Sequence, residues 1–96
     1  MRAADNMPSL FRFGPYVLFF WTGEGAEPVH VHVAIKRPCR DATKIWLTRS
    51  GGCKIAHNKG DIPPRDLRDI QQFIAANHAY ICAQWEQTVG AVSFYC

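Results

Sequence analysis

Glu27-Pro28-Val29-His30-Val31-His32-Val33-Ala34-Ile35 alternates aliphatic and other residues without a break from Val29 onward. Side chains of a strand project to opposite faces with period two, so Val29, Val31, Val33 and Ile35 share one face while His30, His32 and Ala34 share the other. The segment reads as a strand with one face for a core. Its two histidines look away from that core.

Working outward, Gly23 to Pro28 is turn chemistry, and the run Phe11 to Thr22 before it is rich in aromatic and β-branched residues suited to a pleated surface. Gly14-Pro15 marks a bend or bulge in that run. Both faces of Tyr16 to Trp21 are apolar, the pattern of a central strand or of one covered by another chain. On the other side, Lys36 to Asp41 is a polar connection and Lys44 to Thr48 a third short strand. Ser50-Gly51-Gly52 is a hairpin turn and Cys53 to Asn58 a fourth strand. Ile62-Pro63-Pro64 leads into a helix, where proline is tolerated in the first turn. From Arg65 to Gln87, Leu67, Ile70, Ile74, His78, Ile81 and Trp85 fall within about 80° of one another at 100° per residue, a narrow apolar stripe. Gly90 ends the helix. The apolar tail Ala91 to Cys96 has weak strand character and is expected to dock on the sheet edge or on another subunit.

The expected fold class is therefore α+β, a three- or four-stranded mostly antiparallel sheet with one long C-terminal helix packed on one face. Residues 1–9 read as a loose leader and 10–96 as a single domain.

The 96 residues carry 11 Lys plus Arg against 8 Asp plus Glu, a formal charge of +3. Such a chain buries only about 60 to 65% of the surface its unfolded form exposes, so its core must be well used or shared with a partner. Composition excludes a disordered tail, a repeat array and a two-domain cofactor enzyme. The basic residues are spread rather than gathered, which permits RNA or an acidic partner without demanding either. No apolar signal core precedes the domain and no run reaches the roughly 20 residues that span a bilayer, so the cytoplasm is the expected compartment, with no membrane contact. Cys39, Cys53, Cys82 and Cys96 lack paired metal-site or redox spacing and read as reduced thiols.

His30 and His32 are the sharpest chemical feature, two imidazoles on one strand face about 6 to 7 Å apart at Cα. One neutral and one protonated histidine could serve as acid and base in RNA cleavage, with Lys36, Arg37, Arg40 or Lys44 stabilising phosphate charge. A shared metal would need further ligands, for which His57, His78 and the cysteines are the candidates. The plainer reading is a partly exposed sheet face that meets a partner, for which neither a metal nor a cofactor is expected. If Trp46 shares that face with Lys44, an aromatic and basic platform results, with His30, His32, Lys44, Trp46, Arg37 and Arg40 as the binding residues. His78 reads as a core histidine bonded to a sheet backbone group, and Trp85 as a core anchor. No phosphate loop, carboxylate pair or nucleophile elbow is present, so an enzyme is the lesser expectation.

Met7-Pro8 before an aromatic strand, then Glu27 to Val33, then Ile62-Pro63 opening a helix that ends near Trp85-Glu86, resembles the small bacterial proteins catalogued as domain of unknown function 4160. Val29 stands where that family's motif typically has a second proline. Members are often encoded beside a second small protein, in pairs proposed as toxin and antitoxin. The resemblance implies a partner-binding cytosolic protein with a toxin-like action on RNA or translation, and the function expected first is a component of such a two-gene module that binds a small protein partner and itself. It transfers no catalytic residue. The other two readings are a small ribonuclease-like toxin using His30 and His32, and a metal-binding regulatory domain.

Overall fold

A computed structural model of the chain describes residues 9–96; the expected leader, apart from Ser9, lies outside the described residues. Five strands form one antiparallel meander in the order β1-β2-β3-β4-β5: Ser9–Phe13, Tyr16–Phe19, His30–Ile35, Thr43–Leu47 and Cys53–His57. Two helices follow, α1 (Pro64–Ala76) and α2 (His78–Thr88). The class is α+β as expected, with one more strand and one more helix than the sequence suggests.

The extra strand comes from Gly14-Pro15, which closes a two-residue hairpin rather than bending one long strand. Phe13 pairs with Tyr16 across it. Gly14 takes the positive φ, 59°, that the first turn position requires, and the proline ring fixes the second. The remainder of the aromatic run then becomes β2, bonded to β1 on one side and β3 on the other. Its two apolar faces are both used. Leu18 and Phe20 enter the main core, while Val17 and Phe19 join Ala34, Ala42 and Trp21 in a smaller cluster on the histidine side.

The single expected helix is interrupted at Asn77, whose φ of −115° and ψ of 20° leave the helical region. Its backbone N–H and side-chain Nδ2 both donate to the Phe73 carbonyl, the local competition that makes asparagine a helix terminator. Since the break takes only one residue, the stripe keeps its direction. Ile70 and Ile74 from α1 and Ile81 and Trp85 from α2 are fully buried against Val31, Val33, Ile45 and Leu47. No helix among the described residues is long and apolar enough to cross a membrane.

After α2 the tail forms no strand. It crosses the end of the sheet where β3 begins and β4 ends, its Ser93 carbonyl accepting from Val29 N–H and its Cys96 carbonyl from Arg49 N–H. Phe94 falls on the helix side and packs on the main core, while Tyr95 falls on the histidine side against Trp46. The expected docking at the sheet is met at a strand end rather than along an edge strand.

Tyr16 bolts α1 to the sheet, its hydroxyl donating to Asp66 Oδ2 at 2.5 Å. Burial, that hydrogen bond and the carboxylate's charge push the phenol up to about 12. A folded-state pKa above the ordinary value near 10 contributes stability that is present below about pH 10 and is lost as pH rises through 12. Tyr16→Phe should lower unfolding stability by about 1 to 3 kcal/mol at pH 8. Urea midpoints measured from pH 8 to 12 should show the wild type falling toward the variant across the upper part of that range.

Candidate functional site

The outward face of β3 opens on its first turn of chain, where a 3-10 turn at Thr22–Glu24 precedes the strand. Gly25 lets this turn lie against the end of α2, because a Cβ there would stand 3.0 Å from the Val89 carbonyl oxygen. The close approach holds Glu24 over the strand. Its Oε1 lies 2.8 Å from His30 Nε2 and 2.9 Å from His32 Nε2, and the two imidazole nitrogens are 3.2 Å apart. Three ligand-type atoms thus form a nearly equilateral triangle.

His30 is fully buried and His32 is 8% exposed. Around them the rings are packed. Trp46 and Trp85 meet His30 at centroid distances of 5.4 and 5.1 Å, and Phe19 stacks on His32 at 5.5 Å with Trp21 at 6.1 Å. His30 Nδ1 lies 2.9 Å from the Pro28 carbonyl oxygen, which can only accept, so Nδ1 carries the proton. In the neutral ring Nε2 is then a bare lone pair aimed at Glu24 and His32. For Glu24, burial raises the carboxyl, but when the imidazoles are protonated at Nε2 as well, hydrogen bonds from His30 and His32 and their positive charge outweigh it and bring the pKa down to about 2.

Of the residues expected at a binding face, Lys44 and Trp46 stand beside this triangle. Lys44 pairs across from His32 and Trp46 across from His30. Lys44 Nζ bonds Glu27 Oε1 at 2.6 Å and lies 4.4 Å from the Trp46 ring centre. Trp46 stacks on Tyr95 at 4.9 Å and 8°, and Lys54 Nζ reaches to 5.7 Å from the Tyr95 ring. The result is a strip of two stacked rings with a lysine at each end. Arg37 and Arg40 are not part of it, because they sit in the loop beyond Ile35, at the opposite end of β3. A cavity of about 290 Å³ near that loop, lined by Ile35, Cys39, Asp41 and Lys59 among others, brings none of the other candidates together.

His57 and His78 contribute no third ligand. His57 lies on the edge strand β5, where burial and then the charges of Lys59, Lys44 and His32 lower its pKa. His78 donates from Nε2 to the Thr48 carbonyl at 2.7 Å, the bond to a sheet-adjacent backbone group that its place on the stripe suggests. The cysteines are free and none joins the triangle. Sequence reading missed Glu24, which lay inside a segment read only as turn chemistry. The signal was an acid six residues before His30, with Gly25 and Pro28 fixing the path between them.

The model of the family described as Domain of unknown function (DUF4160) matches residues 15–86. The chain belongs to that family. The match includes the turn, both histidines, Lys44, Trp46 and most of both helices, but not the tail that supplies Tyr95. No curated protein and no solved structure matches it.

Because Glu24 satisfies two buried imidazoles at once, a double-mutant cycle between Glu24→Ala and His30→Ala should give a coupling of about 1 to 3 kcal/mol in EDTA-treated buffer. Urea unfolding of the four proteins measures it, and additive losses would show that the carboxylate does not hold the ring.

Proposed function

We propose that this protein is a partner-binding component of a two-gene module of toxin and antitoxin type, working in the cytoplasm, and that it docks a small protein with an acidic surface on the strip Lys44-Trp46-Tyr95-Lys54. The strip carries the reading. Interfaces draw most of their energy from a few aromatic and cationic anchors, and Tyr95 is 57% exposed while stacked and therefore rigid. Lys54, at the end away from the ion pair of Lys44 with Glu27, favours an acidic partner and speeds its approach. Family membership supports the same reading through the gene pairs in which such proteins occur.

The ribonuclease-like reading has less behind it. A general acid and base must reach the reacting atoms, whereas His30 is fully buried and both Nε2 atoms face Glu24.

Co-expression with the product of the neighbouring gene tests the proposal. The two proteins should co-purify, and Tyr95→Ala should weaken the complex by about 30-fold or more, the scale of an interface hot spot. Lys54→Glu should slow association and reduce its salt dependence. Full affinity in the Tyr95→Ala, Lys54→Glu double variant would overturn the strip as the docking surface. A growth defect that vanishes in a His30→Ala, His32→Ala variant, with cleaved transcripts in the wild type, would favour the nuclease instead.

A further inference from the structure

We infer that Glu24, His30 and His32 form a binding site for one divalent transition-metal ion, zinc or a first-row ion of similar preference. The inference goes beyond partner binding and does not depend on it.

Convergence of the three atoms is the first ground. His30 Nε2, His32 Nε2 and Glu24 Oε1 lie 2.8, 2.9 and 3.2 Å from one another. Ligand atoms about 2.0 to 2.2 Å from a zinc ion stand about 2.8 to 3.6 Å apart in octahedral to tetrahedral geometry. The side chains need open by only a few tenths of an ångström to receive an ion. Among the described residues this is the group of three metal-ligating side chains that meets in one place.

The second ground is the electronic demand of the cluster. The Pro28 carbonyl fixes the proton of His30 on Nδ1, so the neutral ring presents a lone pair at Nε2 to a carboxylate oxygen 2.8 Å away. Two lone pairs do not attract. Three charges or dipoles can sit between them: a second proton on His30, the Nε2–H of His32 shared between the two acceptors, or a cation. Of these, a metal ion is the one that engages His30, His32 and Glu24 through all three ligand atoms at once. The carbonyl that fixes the tautomer is also the outer partner metal-bound histidines commonly have, orienting the ring and raising its basicity.

Donor chemistry narrows the ion. Two imidazoles and one carboxylate suit zinc, iron, cobalt or nickel, whereas calcium and magnesium prefer oxygen donors throughout. Glu27, the other acid nearby, is engaged by Lys44 and leaves Glu24 as the single carboxylate of the set. Three protein ligands leave at least one position for water or another ligand. That position faces outward on the Glu24 and His32 side, since the side chains of these two are 21% and 10% exposed while the Trp46 and Trp85 rings pack against fully buried His30.

Cobalt(II) is the probe. Added to untagged, EDTA-stripped protein, it should bind saturably at one equivalent with visible d–d absorption, and zinc(II) should displace it. Zinc(II) should also raise Tm by several degrees where magnesium(II) does not, as expected of an ion that binds only the folded chain. Glu24→Gln keeps the side chain's size and should cost roughly 100-fold or more in cobalt affinity, since a ligand counts for at least as much as its outer partners. His32→Ala should remove measurable binding, with far-UV circular dichroism confirming that both variants fold. Absence of saturable cobalt(II) or zinc(II) binding to the wild type would overturn the site whatever the variants do. Equal affinity in the folded Glu24→Gln and His32→Ala variants would place the ion elsewhere and overturn it equally.

Discussion

The two-residue period of β3, the middle strand of five, is the constraint on which the rest depends. Its neighbours bond it on both sides, so its register is fixed, and its even and odd positions are committed to different faces. Val31 and Val33 point at α1 and α2 and anchor the core. His30 and His32 then have no choice but the opposite face. A slip of one residue would bury the imidazoles under the helices and expose the valines, which costs the core and leaves Glu24 with nothing to bond. Core and site are therefore specified by the same alternation.

That face is not left to water. Val17, Phe19, Ala34 and Ala42 make a second small cluster beside the histidines, and the glycine-bearing turn from β2 folds over the strand to bring in Glu24. A meander of this size with two helices can thicken only one side of its sheet. The other side is closed locally, by turns and by aromatic rings, where the chain can reach. Where closure ends, Trp46 and Tyr95 lie stacked with lysines at either hand. The aromatic content that exceeds the needs of one core is divided between the second cluster and this strip.

Periodicity made much of this legible. The β3 alternation, the helical stripe and the Gly51-Gly52 hairpin are local patterns, and each is found where its residues place it. The phase of Trp46 relative to His30 followed once β3 and β4 paired antiparallel. Three features were harder to read. Gly14-Pro15 is compatible with a bulge or a hairpin, and only pairing on both sides of Tyr16–Phe19 decides between them. Asn77 interrupts a stripe whose spacing continues unchanged, so periodicity is blind to the break. Glu24 belongs to no period at all. Its role depends on the path of a turn, and that path depends on a glycine contact with the end of α2, more than sixty residues away along the chain.

Such a division explains why the site takes the form it does. Strands position His30 and His32 rigidly, because their spacing is a property of the backbone. A third group converging on them cannot come from β3 itself, since the next outward residue is Ala34, and the facing positions on β2 and β4 hold Phe19, Lys44 and Trp46. It must come from a connection. The turn that follows β2 passes directly over the start of β3, and its acid at position 24 meets both rings with one oxygen. Glu24 is placed by the path of a turn, while the backbones of His30 and His32 are placed by strand geometry and their rings by the Pro28 carbonyl and the packed aromatic rings. The carboxylate therefore owes its place to the contact of Gly25 with Val89 at the end of α2, while Trp85 donates to the Ala91 carbonyl of the tail and sets its ring against His30, so the triangle and the tail share their neighbours.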